Sequence, residues 1–252
     1  MLELKKICAG YGKKQILTDL SLSFSKSELI SITGPNGSGK STMLKAAMGI
    51  IPILSGEVSI DEENANDLPR SRRAQKVAYL AQGKSVPDMT VGQLVLHGRF
   101  PHLSYPRRYT EKDRDIVFAA LKELGIADLA NRPLSSLSGG MRQNAYIAMA
   151  LAQDTDYILL DEPTAYLDIS HQLELMKTLQ KLTSLGKGVV TVLHDLPLAF
   201  AFSDRIVVLK EGALAAEAAP IEMYKNPIIR EVFGVGLDYS REEQSYRYQY
   251  YR

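Results

Sequence analysis

The run at 34–42, Gly34-Pro35-Asn36-Gly37-Ser38-Gly39-Lys40-Ser41-Thr42, has the residue types needed to hold phosphate. Its spacing is G-x-x-x-x-G-K-S. Glycine accepts backbone angles that a Cβ forbids, so successive N–H groups can curl inward around an anion. A helix starting near Lys40 adds its positive end at the same place. Lys40 offers a full charge to the outer phosphates of a nucleotide. The Ser41 hydroxyl is a hard oxygen ligand of the kind Mg2+ takes. The spacing alone does not separate kinases, GTPases, helicases and transport ATPases.

Five further places carry candidate chemistry. Tyr157, Ile158, Leu159 and Leu160 lead into Asp161 and Glu162, which reads as a buried strand delivering two acids at its carboxyl end. Asp161 then suits the Mg2+ shell, and Glu162 suits orienting and deprotonating an attacking water. A salt-bridged strand end is the plainer alternative. His194 follows an apolar run and is a candidate γ-phosphate contact, although a lone histidine is more often structural. Gln82 lies just past a strand, as a candidate ligand for Mg2+ or for the water, against the simpler reading of an exposed loop amide. Ser138, Gly139 and Gly140 form a second anion-binding helix start, or else only an N-cap. Tyr11, between two glycines, has the flat ring that stacks on adenine; as a loop tyrosine it also reads as plain surface.

The elements that must position these residues follow from periodicity. Runs 2–8, 16–24, 28–33, 56–60, 77–80 and 188–193 read as strands, and 40–48 as a helix. From residue 90 the apolar period changes to about 3.6, giving helices over 90–97, 111–124 and 139–153. This helical block interrupts an α/β pattern that resumes at Tyr157 and continues in a helix over 169–185. The segment 99–108, with His102, Pro101, Pro106 and two adjacent arginines, reads as solvated loop. The tail 238–252 is rich in tyrosine and charge without helical period and reads as a frayed terminus.

Bulk properties narrow the classes. A length of 252 residues fits one large α/β domain or a core with a subdomain. With 30 basic and 29 acidic side chains, net charge +1, there is no electrostatic case for nucleic acid as a partner. The single cysteine, Cys8, excludes an internal disulfide, suits a reducing cytosol, and reads as a small buried hydrophobe. The first residues, MLELKKI, lack a signal-peptide pattern, and the most apolar run, 189–202, is broken by His194, Asp195 and Pro197. A role at a membrane therefore needs a membrane-embedded partner.

Taken in order, this set resembles the ATP-binding subunit of ABC transporters over roughly residues 2–235. Tyr11 is similar to the adenine-stacking aromatic, 34–42 to the Walker A loop, and Gln82 to the Q-loop. The run 137–141 is similar to the signature motif, and 158–162 to Walker B with its catalytic glutamate. Tyr166 to Asp168 is similar to the D-loop, and His194 to the switch histidine. The signature commonly ends in Gln; here Met141 stands there, which removes the polar contacts such a glutamine makes. The resemblance implies an α/β P-loop core in two segments, 1–88 and 156–235, with an antiparallel β portion near the N-terminus. It also implies a helical subdomain at 89–155 and a tail at 236–252. It implies ATP hydrolysis with Mg2+. Tyr11, residues 34–42, Gln82, Ser138, Gly139, Gly140 and Asp168 would bind nucleotide. Ser41, Gln82 and Asp161 would serve the metal, and Glu162 and His194 catalysis.

A narrower resemblance lies in VGQLVLHGRFPH (91–102), in the stretch after Walker B containing YLDISHQ, and in VLHDLPLAF. These strings look like those of the ATPases of iron-siderophore, haem and cobalamin importers. They imply a homodimer of ATPase chains at the cytoplasmic face of the cell membrane. That dimer would work with integral membrane permease subunits and an extracytoplasmic substrate-binding protein. A soluble ABC-type ATPase without a permease, in iron–sulfur assembly, repair or translation, is the alternative of a different class.

Overall fold

A computed structural model describes residues 1–83, 86–240, 242 and 245–249 of the chain. The N-terminal part runs β1 (Leu2–Tyr11), β2 (Lys14–Phe24), β3 (Leu29–Thr33), α1 (Lys40–Ala47), β4 (Ile53–Ile60), β5 (Glu63–Asn64), α2 (Arg70–Lys76) and β6 (Val77–Leu80). The middle is helical: α3 (Val91–His97), α4 (Glu111–Glu123) and α5 (Gly139–Ala152). Then come β7 (Tyr157–Leu160), α6 (Ile169–Ser184), β8 (Gly188–Val192), α7 (Leu196–Phe202), β9 (Arg205–Lys210) and β10 (Ala213–Ala218). The chain closes with α8 (Pro220–Lys225), α9 (Ile228–Phe233), β11 (Gly236–Ser240) and β12 (Ser245–Gln249).

Two sheets carry the architecture. The first, ordered β2-β1-β4-β5, is antiparallel, as expected for the N-terminal region. The second is ordered β10-β9-β3-β8-β7-β6. Its strands β9, β3, β8, β7 and β6 run parallel, and β10 joins β9 antiparallel at one edge. Every residue of β3, β7 and β8 is buried, Ser31, Thr33 and Thr191 included, and β7 accordingly reads as a continuous apolar run. One face of this sheet packs with the first sheet and α1 through Ile7, Leu20, Phe24, Ile32, Leu44 and Leu159. The other face packs with α3–α6 through Leu29, Val95, Leu121, Ile147 and Leu179. Each such side chain, fully removed from water, contributes about 1.5–3 kcal/mol before entropy is counted.

Three local expectations change. The segment after α3 is not simply solvated loop. Arg99 is 6% exposed and its Nε donates to Asp113 Oδ1 at 3.0 Å, while its Nη1 donates to the Ala152 carbonyl at 2.8 Å. It therefore ties together the ends of α3, α4 and α5, and His102 reaches the Gln153 carbonyl at 2.8 Å beside it. The tail expected to fray contains an antiparallel ribbon, with Leu237 opposite Tyr248 and Tyr239 opposite Tyr246. A cluster of rings, not a helical stripe, holds it. Tyr246 lies 5.1 Å from Phe200 and 4.8 Å from Tyr239, centroid to centroid. The rest of the tail reading, at 241, 243–244 and 250–252, lies outside the described residues. Cys8 is half-buried rather than buried, and its sulfur accepts the Asp19 N–H at 3.4 Å. Among the described residues no helix is long and apolar enough to cross a membrane.

Candidate nucleotide site at the carboxyl edge of the parallel sheet

Four neighbouring parallel strands, β3, β8, β7 and β6, end on the same edge of the sheet. Each hands over to a loop that carries a predicted residue: Gly34 onward after β3, His194 after β8, Asp161 and Glu162 after β7, and Gln82 after β6. Ligands of open α/β sheets bind at such carboxyl ends.

The 34–42 loop needs its glycines. A Cβ on Gly34 would stand 2.2 Å from the Leu209 carbonyl oxygen and 2.7 Å from Ser38 Oγ. Gly39 has φ 97°, and a Cβ there would stand 2.7 Å from Leu17. Pro35 and Asn36 complete the turn, and Ser38 N–H donates to the Pro35 carbonyl at 3.1 Å. Ser38 Oγ is buried with no hydrogen-bond partner among the described residues, as a cradle for a polar ligand would leave it. Gly37, also at positive φ, has open space where a Cβ would be. Lys40 opens α1 at 5% exposure, and its Nζ donates to the carbonyls of Gly34 at 2.8 Å and Pro35 at 3.0 Å. Burial lowers the Lys40 ammonium from its ordinary value, and the Glu162 and Asp161 carboxylates oppose that shift. Thr42 is buried in the same turn of helix.

The acids meet this loop directly. Ser41 Oγ donates to Asp161 Oδ1 at 2.8 Å, joining α1 to the end of β7. Tyr79 in β6 donates its hydroxyl to Asp161 Oδ2 at 3.2 Å. Burial, then the Asp161 charge, raises the Tyr79 phenol far above its ordinary value, so it stays a donor. Sequence reasoning missed Tyr79. The available signal was a phenol within a buried strand, which must find a polar partner. Glu162 adopts φ 50°, a left-handed conformation rare outside glycine. One of its oxygens accepts from His194 Nε2 at 2.7 Å and the other from Gln82 Nε2. Gln82 is thus on Glu162 rather than on Ser41 and Asp161.

Ser138, Gly139 and Gly140 are placed differently. Ser138 caps α5, its Oγ accepting the Met141 N–H at 3.3 Å. A Cβ on Gly140 would stand 2.2 Å from the His171 ring of the neighbouring α6, which would have to shift. Asp168 caps α6 in turn. Hydrogen bonds from the His171 N–H, the Ser170 hydroxyl and the His171 ring hold its carboxyl down at about 2. Gln172 Nε2 donates to the Leu167 carbonyl at 3.1 Å, which gives the YLDISHQ string a structural reason. A cleft of 220 Å³ separates the start of α5 from the acids, lined by Gln82, Gly139, Arg142, Glu162 and Tyr166. Tyr11 ends β1 instead of lying in the loop, is 48% exposed, and has the Lys45 ammonium 5.9 Å from its ring centroid.

A glycine-rich loop between a buried strand and a helix, faced by carboxylates from a second strand, defines a phosphate-loop nucleotide-binding protein. The comparisons with known proteins take this further. The profile of the family described as "ABC transporter" matches residues 17–165. The chain is 40% identical over 239 residues to the iron(3+)-hydroxamate import ATP-binding protein FhuC of Bacillus subtilis (strain 168), covering 94% of this chain and 89% of that one. It is 39% identical to the petrobactin import ATP-binding protein FpuD of Bacillus anthracis, over 92% of this chain and 86% of that one. The hemin import ATP-binding protein HmuV of Rhodococcus jostii (strain RHA1) is 37% identical, over 90% and 78%. Among solved structures, a dimeric bacterial ABC transporter cassette superposes with a TM-score of 0.75 at 33% identity, covering 87% of this chain and 99% of that one. The chain belongs to the ABC transporter family, as its ATP-binding, ATP-hydrolysing subunit.

Proposed function

We propose that the chain energises uptake of a metal chelate, with iron-siderophore complexes and haem foremost and cobalamin within the same class. It would act as a pair of identical ATPase chains on integral membrane permease subunits, peripheral to the cytoplasmic face of the membrane, and be supplied by an extracytoplasmic binding protein. The observation that carries the chemistry is the convergence of Lys40, Asp161, Glu162 and His194 at the ends of β3, β7 and β8. The import names of relatives aligned over nearly the whole chain support the substrate class.

In this reading the N–H groups of 34–42 and Lys40 hold the phosphates, and Tyr11 stacks on the adenine. Oxygen donors from Ser41, Asp161 and Gln82 suit Mg2+. When bound, Mg2+ neutralises charge on the phosphate oxygens. Glu162 accepts a proton from water as the water oxygen bonds the γ-phosphorus and the bond to the ADP oxygen breaks. His194 keeps Glu162 oriented through Nε2–H and lies where it can also meet the γ-phosphate. Ser138, Gly139 and Gly140, with Asp168 shaping the adjoining turn, contact the nucleotide of the second chain. Deleting the gene should abolish growth on a chelated iron source or on limiting cobalamin and leave growth on sugars or amino acids unchanged. A defect confined to a sugar or amino acid would refute the substrate class.

A further inference from the structure

Helix α7 starts two residues after His194, and its start has backbone donors that no helical carbonyl can satisfy. The structure accounts for those at positions 196 to 198. Asp195 is the N-cap, and its Oδ1 accepts the Leu198 N–H at 2.8 Å. Pro197 has no N–H to satisfy. Ala199 N–H makes the first regular helical bond, to the Asp195 carbonyl at 3.0 Å. The remaining donor, Leu196 N–H, belongs to a residue only 1% exposed, and it is accepted by the Tyr248 hydroxyl at 2.9 Å. Tyr248 lies in β12, 52 residues further along the chain.

The tail is thereby part of the cap of α7. It is fixed there by packing as well. Tyr246, two residues before Tyr248 in the strand, lies 5.1 Å from Phe200 of α7, 5.9 Å from Tyr224 of α8 and 4.8 Å from Tyr239 of β11. Leu237 of β11 joins Leu196, Phe200 and Met223 in a small core. Phe200 and Leu196 are thus packed against the ribbon, while His194, the residue before Asp195, is held by Glu162 at 2.7 Å.

We propose that the C-terminal ribbon is a brace for the His194 turn and that Tyr248 is a positioning residue for the His194–Glu162 pair. The inference rests on the reading of His194 given under the proposed function. Without the Tyr248 hydroxyl, a buried N–H two residues from His194 loses its partner, and the turn relaxes to find another. The imidazole then spends less time against Glu162. The 34–42 loop and Tyr11, which hold most of the nucleotide in that reading, are untouched.

The test is Tyr248→Phe, which keeps the ring and removes the hydroxyl, alone and combined with His194→Ala. Tyr248→Phe should lower kcat for ATP by about tenfold, within the range by which misplacing a reacting group costs rate, with KM for ATP unchanged. Its Leu196 amide should exchange faster with solvent than in the parent, measured by NMR. Added to His194→Ala it should cause no further loss of kcat, because both changes act through one side chain. A parent kcat in Tyr248→Phe would overturn the brace, whatever the Leu196 exchange. So would a loss that adds in full to that of His194→Ala. If His194→Ala is slow and Tyr248→Phe is not, the reading of His194 stands and the brace alone is wrong. If His194→Ala hydrolyses ATP at the parent rate, the reading of His194 falls and takes the proposal with it.

Discussion

Glu162 has three constraints on one carboxylate: a left-handed backbone, His194 on one oxygen and Gln82 on the other. A side chain so placed has little freedom to act by charge alone, and removing its proton-accepting capacity is informative. Glu162→Gln keeps shape and hydrogen bonding. It should still bind ATP and hydrolyse it about 10²–10⁴-fold more slowly, the contribution of a positioned base. A loss below about tenfold in single-turnover hydrolysis would show that Glu162 only positions water. Lys40→Ala removes the ammonium of a residue that is 5% exposed, and the backbone cradle cannot replace its charge. Nearly normal hydrolysis by purified Lys40→Ala protein would refute the assignment of that loop. At this scale the sequence was most legible. The 34–42 loop, Asp161, Glu162 and His194 were named from type and spacing, since each sits at a strand end that short-range pattern marks. Tyr79 was not, because its relevance depends on β6 pairing with β7, a contact between residues about 80 apart.

Helices and strands were legible where burial is uniform or the period is long. β7 declared itself as an apolar run and β3 as a partly alternating one, and α4 and α5 by their 3.6 period, both with N-cap residues at Thr110 and Ser138. The ribbon at the C-terminus was hidden because its strands are short and polar, although Tyr246, Arg247, Tyr248 and Gln249 alternate with period two. The role of Arg99 was hidden because a charged residue next to Pro101 resembles surface, and only the approach of α4 and α5 buries it. Breaking a buried pair costs about 3–5 kcal/mol, so Arg99→Met should lower the melting temperature by about 6–20 °C. The same contact predicts pH dependence. Burial pushes the Asp113 carboxyl up, but hydrogen bonds from Thr110 and Arg99 and the Arg99 charge hold it down at about 2. A carboxyl depressed in the folded state stabilises above its unfolded value of about 4 and loses that contribution as pH falls through about 2. Acid unfolding followed by circular dichroism should therefore show a smaller loss between these limits in Arg99→Met than in the parent.

For the whole molecule, the two candidate anion-binding elements are the issue. The 34–42 loop lies on Asp161, whereas Ser138, Gly139 and Gly140 lie against the turn at Tyr166 and His171, across a cleft from Glu162. Two chains paired head to tail about a two-fold axis would bring Ser138 of each to the ATP of the other, making two equivalent sites. The γ-phosphate then supplies the contact that favours the closed pair, and hydrolysis removes it. Glu162→Gln should sediment as a dimer with ATP and as a monomer with ADP. Adding Ser138→Arg should abolish the dimer, because a bulky cation would fill the shared phosphate site. A dimer indifferent to nucleotide, or one untouched by Ser138→Arg, would exclude the composite site.

The strand order has a consequence for how the chain is made. β3, which carries the 34–42 loop, pairs with β8 at Val189–Val192 on one side and with β9 at Arg205–Val208 on the other. β7, which carries Asp161 and Glu162, reaches β3 only through β8. A nascent chain can close the local β1–β2–β4 pairing once residue 60 has emerged. It holds the nucleotide loop early, yet the keystone between that loop and its acids is translated about 150 residues later. Until β8 slides between them, the growing polypeptide has the parts of an ATPase without the engine, and it leaves the ribosome tunnel inactive for most of its synthesis.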